Sequence, residues 1–477
     1  MDYKKIGLKS GIEIHRQLDM QHKLFCSCDS RLADKAYMTF KRKLRAVSGE
    51  LGELDTAALH EFFKNKDFVY SVYPAESCLV EADDEPPHEL NKEALELSLR
   101  IALMLNCDIP DEIHVMRKTV IDGSNTSGFQ RTAIVGMDGW IETSFGKVGI
   151  TSVAVEEESC QILGKDDKES RYGLDRLGIP LVEIGTDPDI HTPEQAKEVS
   201  QKLGMILKST GKVKSGLGTI RQDVNVSIAG GHRVEIKGVQ ELNMIPKYVE
   251  NEILRQQELI KKKQKVSGDV RKPMANGTTQ FMRPLPGAAR LYPETDIPPI
   301  RITKYLLDDL KKIKTELIED KIEKLEAAGL GHDLATKIGN NKEYYEVFSD
   351  LSNFKKIKPA FIAETIVSYK SEIHKKNKSA NVDKISGEHL TSVFKELDAG
   401  KISKDAVMEI LAGVANGKKL DFRKYQMSGD IDLDTEIDKL MKEKPGLSFG
   451  AYMGILMGKF KGKASGDQIA SALKKKL

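Results

Sequence analysis

The chain has 477 residues, of which 40% are hydrophobic and 31% charged, and 74 Lys and Arg against 72 Asp and Glu leave a formal net charge of +2. This length supports two to four domains and at least one sizeable core, and the balanced charge excludes a globally basic nucleic-acid binder, leaving only a local basic patch for such a partner. No apolar run approaches the roughly 20 residues of a membrane span, no leader-like apolar segment follows Met1–Lys5, and five cysteines are too few and sparse for a disulfide framework, so a cytoplasmic protein without a membrane partner is expected.

Gly11–Gln17 alternates cleanly, with Ile12 and Ile14 on one strand face and Glu13, His15 and Gln17 on the other. A carboxylate and an imidazole two residues apart form half of a metal or acid–base site. Cys26-Ser27-Cys28 with Cys78 could supply three ligands of a structural Zn²⁺. A second C-x-x-C pair lacks a member, so free buried thiols are the favoured reading. A helix is predicted from about Lys92 to Leu105 behind a cap at Asn91.

Val153–Glu157 reads as a strand ending in Glu156-Glu157-Glu158, a triplet that fits solvent as well as a site. Glu183 lies inside the apolar strand Pro180–Ile184, where a charge is expensive unless paired, for instance with Arg176, or metal-bound. Thr192-Pro193-Glu194-Gln195 opens a helix with a capping box and Pro at its first position.

Val224, Val226 and Ile228 alternate with Asp223, Asn225 and Ser227, and Val234 and Ile236 alternate with Arg233, Glu235 and Lys237. A three-residue loop pairs Asn225 with Glu235 and Asp223 with Lys237 and keeps the faces consistent. The resulting polar platform fits a site or a solvated face equally. A further helix follows Pro246, with Val249, Ile253 and Ile260 on one side.

From about Ile302 the apolar period becomes helical, as in Leu306, Leu310, Ile313 and Leu317, and Ser379–Gly387 reads as a break. Three units are expected, at residues 1–301, 302–387 and 388–477. Paired strands and helices in irregular order predict an α+β fold with an antiparallel sheet, followed by helical units. In the tail, Gly450, Gly454 and Gly458 share one helical face, and Lys459, Lys461 and Lys463 follow. Such a stripe permits close approach of another helix or of a sugar–phosphate backbone; the lysines tilt the reading toward RNA.

Glu13, His15, Glu157, Glu183, Asp223, Asn225 and Glu235 form a set of mostly hard oxygen ligands suited to Mg²⁺. There is no H-E-x-x-H motif and no Walker A loop. An ATP site, were there one, would therefore hold phosphates through metals and basic side chains.

These segments resemble the GatB/GatE family of aminoacyl-tRNA amidotransferase subunits, in its archaeal GatE form. The likeness is carried by Gly11–Asp19 with Lys23–Cys26, by Cys78–Glu81 leading to Asp84–His88, and by Ile121–Thr132. It continues through Gly178–Ile184, Arg221–Ser227 and Arg283–Asp296. The run D-G-S-N-T-S-G-F-Q-R-T from Asp122 is GatE-like rather than GatB-like. GatE proteins usually carry an inserted domain similar to one in aspartyl-tRNA synthetase, but here only a bridge from about Lys263 to Thr279 occupies that place.

The resemblance implies a cradle similar to the glutamine synthetase and guanidino kinase fold, a helical domain, and a YqeY-like tail that engages tRNA. It implies phosphorylation by ATP of the glutamate carried on tRNA(Gln), then amidation by ammonia to give Gln-tRNA(Gln). Glu13, His15, Glu157 and Glu183 are expected as the catalytic Mg²⁺ site. Asp223, Asn225 and Glu235 would hold a second metal or phosphates, with Lys237 and Arg221 neutralising phosphate charge. No glutaminase signature is present, so an asparaginase-like glutaminase subunit, GatD, is the implied partner in a heterotetramer. The alternatives are a GatB-type subunit acting on Asp-tRNA(Asn) and a non-catalytic tRNA-binding relative.

Overall fold

Apolar residues at every second position set the frame of the N-terminal part. In the computed structural model, which describes all residues except 47, 49–51, 288–290, 427–432, 461–465 and 477, the chain divides into two compact units, Met1–Thr315 and Glu316–Leu477. The first unit is built on a ten-stranded sheet. Its strands in chain order are β1 (Lys9–Gln17), β2 (Val115–Thr119), β3 (Phe129–Thr143), β4 (Gly146–Glu157) and β5 (Pro180–Thr186), then β6 (Ile220–Ser227), β7 (Val234–Val239), β8 (Asp269–Pro273), β9 (Thr279–Pro284) and β10 (Leu291–Pro293).

The spatial order is β9-β8-β7-β6-β1-β5-β4-β3-β2-β10. Every pairing is antiparallel except β7 with β8. The first strand in sequence therefore lies near the middle of the sheet. A four-stranded sheet of Met38–Arg42, Asp67–Val72, Glu169–Gly173 and Gln161–Lys165 packs its own small core of Phe68, Tyr70, Val72 and Tyr172.

Helices α1 (Lys92–Met104), α2 (Pro193–Ser209) and α3 (Ile245–Lys261) pack on the main sheet. Asn91 caps α1, and Thr192 with Gln195 forms the capping box of α2. Ile12, Ile14, Val153, Val155, Val182, Ile184, Val224 and Val226 are fully buried, as are Val199 and Leu203 of α2 and Val249 and Ile253 of α3. Burying one such side chain contributes about 1.5–3 kcal/mol. Because strand residues alternate, the same pattern sends Glu13, His15 and Glu183 to the face away from this core.

The segment between Val224 and Ile236 keeps the register expected of it, Asn225 opposite Glu235. An irregularity between Gln222 and Val224 then removes the expected ladder pairing of Asp223 with Lys237. The series from Leu306 to Leu317 is not one helix: α4 (Lys304–Lys312) stops because Ile313 is extended, at φ −77° and ψ 93°.

The second unit is helical: α5 (Ile318–Ala327), α6 (His332–Gly339), α7 (Lys342–Leu351), α8 (Pro359–Lys376), α9 (Gly387–Asp398) and α10 (Lys404–Ala415). α9 and α10 pack on α7 and α8. The last helices, α11 (Leu433–Glu443), α12 (Phe449–Lys459) and α13 (Gly466–Lys474), share a separate cluster of Ile437, Leu440, Tyr452, Leu456, Phe460, Ile469 and Leu473.

Candidate functional site

His15 is paired in register with Glu183 of β5 on one side and Arg221 of β6 on the other. Register partners project from the same face, so three polar side chains from three strands converge. His15 Nε2 lies 3.1 Å from Glu183 Oε2 and 3.2 Å from Glu13 Oε1. Lys118 reaches over from β2, with Nζ 3.1 Å from Glu183 Oε2 and in contact with Glu156 Oε1. Glu13 faces Asp223 in register. The Asp223 carboxylate accepts from Lys237 Nζ at 2.9 Å and from the Gly238 backbone N–H at 2.6 Å. Lys237 Nζ also lies 3.3 Å from Glu235.

Burial makes these contacts consequential. His15 is 3% exposed, and Glu156 and Asp223 are fully buried. Burial, then the charge of Glu183, pushes the Glu13 carboxyl up to about 7. Burial and the Arg221 guanidinium oppose a charge on His15, but the hydrogen bond and charge of Glu183, with Glu13, hold the imidazole above its ordinary value. Burial would raise Glu183, yet Lys118 and His15 keep it well below the ordinary carboxylate range. Asp223 is likewise lowered, by Lys237, His15 and Arg221 against its burial.

The site thus concentrates carboxylates that the surrounding cations only partly neutralise. Donor atoms of Glu13, His15 and Asp223 lie within 4.8 Å of one another, as do those of His15, Glu156 and Glu183. His15 Nδ1 and Asn225 Oδ1 are buried without a hydrogen-bond partner. Overlapping clusters of hard oxygen donors around one imidazole fit a divalent cation such as Mg²⁺.

Glu157 is not brought to this cluster. It points through the other face of β4, where the Arg131 backbone N–H donates to it at 2.8 Å and the Arg131 guanidinium lies 3.6 Å away. Arg131 in turn donates to Glu294 at 2.8 Å. The residue placed beside Glu183 is Glu156. Arg176, a candidate partner for Glu183, instead pairs with Glu158 at 3.1 Å, alongside Arg221 at 3.0 Å and Gln17 at 3.1 Å. Sequence reasoning missed Glu156, whose signal lay in the parity of Val153 and Val155: Glu157 shares their face and Glu156 does not. Lys118 had no such signal, because its partners are distant in sequence.

The second cluster lies near Cys26. Cys26, Cys28, Cys78 and Glu81 offer donor atoms within 4.8 Å of one another, and the cysteines are free of disulfides. Cys26 Sγ lies 2.9 Å from Glu81 Oε1, and Glu81 Oε2 accepts the Cys78 backbone N–H at 2.8 Å. Hydrogen bonds from Cys26 and Cys28 hold the Cys78 thiol well below its ordinary value. The missing member of a C-x-x-C pair is therefore a glutamate, Cys78-x-x-Glu81. Three sulfurs and one carboxylate match a four-coordinate Zn²⁺ site.

In the tail, a Cβ added at Gly450, Gly454 or Gly458 of α12 would meet nothing within 4 Å among the described residues. No helix packs against that stripe there. Lys459 Nζ is 2.7 Å from Glu436; Lys461 and Lys463 lie outside the described residues.

The GatB/GatE catalytic-domain family matches residues 8–308. The glutamyl-tRNA(Gln) amidotransferase subunits E of Archaeoglobus fulgidus and Methanocaldococcus jannaschii are each 36% identical, and that of Sulfolobus acidocaldarius is 35% identical. Each comparison covers 100% of this chain and 99% of the relative. The alignments run over 616, 629 and 631 positions against 477 residues here, so the relatives carry well over a hundred residues that this chain lacks. No helix among the described residues is long and apolar enough to cross a membrane.

Proposed function

The chain belongs to the GatB/GatE family, and on that premise we propose that it uses ATP to convert Glu-tRNA(Gln) to Gln-tRNA(Gln) as an amidotransferase subunit, a carbon–nitrogen ligase. The observation that carries this reading is the cluster of buried His15, Glu156 and Asp223 with the partly exposed Glu13 and Glu183, on the sheet face away from the helices.

A carboxylate and ammonia do not condense at neutral pH without activation. A carboxylate oxygen of the tRNA-linked glutamate attacks the γ-phosphorus of ATP and ADP leaves. Ammonia nitrogen then attacks the acyl carbon of the acyl phosphate, phosphate leaves, and the nitrogen loses a proton. Phosphoryl transfer of this kind depends on positioning and charge neutralisation. Mg²⁺ held by Glu13, His15, Glu156 and Glu183 would neutralise phosphate oxygens. Lys118 holds Glu156 and Glu183 in place. Asp223, Asn225 and Glu235 border the same cluster, and Lys237 and Arg221 bring positive charge to the phosphate side.

The finer architecture belongs to the same reading. The ten-stranded unit corresponds to a cradle similar to the glutamine synthetase and guanidino kinase fold. Residues 302–387 correspond to the helical domain and 388–477 to a YqeY-like tail. The open stripe of Gly450, Gly454 and Gly458 is a surface for the tRNA sugar–phosphate backbone. An asparaginase-like glutaminase, GatD, supplies ammonia in a heterotetramer. Cys26, Cys28, Cys78 and Glu81 hold a structural Zn²⁺.

The test is ATP-dependent conversion of Glu-tRNA(Gln) with ammonium as the nitrogen source. Wild type yields Gln-tRNA(Gln), and Glu183→Ala abolishes the product. Absence of product with wild type, or full activity in Glu183→Ala, overturns the reading. Conversion of Asp-tRNA(Asn) in place of Glu-tRNA(Gln) transfers it to the GatB-type alternative.

A further inference from the structure

Two ladders of register partners cross five strands side by side. One runs Ile134–Ala154–Glu183–His15–Arg221, the other Met137–Ser152–Gly185–Glu13–Asp223. Their acidic ends form the candidate site. Their β3 ends are apolar and open: Ile134 is 42% and Met137 39% exposed. Ala133 and Val135, which flank Ile134, are buried on the opposite face, which fixes the direction of Ile134.

Between the two ends the side chains are short. Ala154 and Ser152 on β4 and Gly185 on β5 form a low floor. A Cβ at Gly185 would meet only Ser152 Oγ, at 3.7 Å, an ordinary contact. Packing therefore does not require glycine there, and a side chain at Gly185 would fill the floor. Adjacent strands lie about 4.8 Å apart, so the apolar wall stands about 10 Å from Glu183.

We propose that Ile134 and Met137 form the shelf on which the adenine of ATP lies, with its ribose over Ala154, Ser152 and Gly185. This rests on the ATP-dependent reading above and adds where the base sits. The order across the ladders, apolar wall, neutral floor, then cation-binding carboxylates, is the order of base, ribose and metal-bound phosphates in ATP. A polarisable thioether and an aliphatic side chain suit a flat aromatic ring. Continuity with the carboxylate cluster favours the nucleotide over a protein partner, because one small ligand spans both ends.

The experiment measures binding of Mg-ATP and of Mg-tripolyphosphate to the full chain by calorimetry, and the KM for ATP and for Glu-tRNA(Gln). The variants are the double substitution Ile134→Ser and Met137→Ser, both exposed, and separately Gly185→Val. Wild type binds both ligands. The double variant loses about tenfold in ATP affinity, keeps its tripolyphosphate affinity, and shows a raised KM for ATP alone. Gly185→Val behaves likewise. Unchanged ATP affinity in a double variant that still binds tripolyphosphate overturns the shelf and leaves the functional reading standing. A raised KM for Glu-tRNA(Gln) with ATP unaffected assigns the surface to tRNA and also overturns it. If wild type binds neither ligand, the nucleotide reading itself falls, and the shelf with it.

Discussion

Glu156 and Glu157 are adjacent in sequence and project through opposite faces of one strand, Glu156 toward Lys118 and Glu183, Glu157 toward Arg131. Their roles therefore separate by experiment. Glu156→Gln should lower the ATP-dependent step by about a hundredfold, the scale on which preorganised electrostatic groups act. Glu157→Gln should leave that step largely intact, because Glu157 lies on the opposite face and Arg131 keeps Glu294 as its carboxylate partner, and it should change stability by no more than about 1 kcal/mol. Single-turnover phosphorylation and chemical denaturation read the two quantities, and a reversed ranking contradicts the assignment.

The difference between these two residues also marks how far the sequence could be read. The alternation that made Glu13, His15 and Glu183 visible depends on apolar neighbours that report the phase of the strand. Val153 and Val155 reported it for β4, but three consecutive glutamates hid which one mattered. The Asn225–Glu235 register was legible because both strands alternate, whereas the irregularity beside Gln222 has no such mark. Glu81 was concealed by its type: a carboxylate in a cysteine position breaks the familiar spacing. Lys118 depended on strand pairing across distant sequence. The Leu306–Leu317 series kept helical spacing through a break at Ile313, since spacing records which residues share a face and not whether the backbone between them is continuous.

Glu158 gives a pH-dependent prediction. Burial alone would raise its carboxyl, but Arg221 and Arg176, with Gln17, hold it at about 2. A carboxyl whose folded value is depressed stabilises the native state above its unfolded value, near 4.5. That contribution is lost as pH falls from there through about 2. It is on the order of 3 kcal/mol. Thermal melts from pH 6 down to 2 should show wild type falling more steeply than Glu158→Gln, and parallel curves would contradict it.

The cysteine cluster predicts bound metal. Protein purified without added metal should carry about one Zn²⁺ per chain by elemental analysis. Cys78→Ala should lose it and melt roughly 5–10 °C lower. Wild type stripped with a chelator should fall to the melting temperature of the variant. Metal content unchanged by the substitution would place the ion elsewhere.

The open glycine stripe makes a prediction of two signs. Gly454→Ala adds a methyl group that meets nothing within 4 Å among the described residues, so α12 should gain about 1 kcal/mol of helix stability. The same methyl group intrudes on any backbone laid along the stripe, so tRNA affinity should fall. Melting temperature and filter binding of tRNA(Gln) measure the two effects. A rise in both would remove the stripe from the tRNA surface.

The position of β1 shapes how the molecule is made. This strand ends at Gln17, yet its two hydrogen-bonding neighbours begin at Pro180 and Ile220. During synthesis the first strand must wait, unpaired, until both distant segments have left the ribosome. Long-range pairing of this kind is slow and exposes strand edges to misassembly. Glu13 and His15 are translated well before Glu183 and Asp223, the strand partners they face. The emerging chain thus cannot assemble its carboxylate site before the sheet closes on both sides of β1.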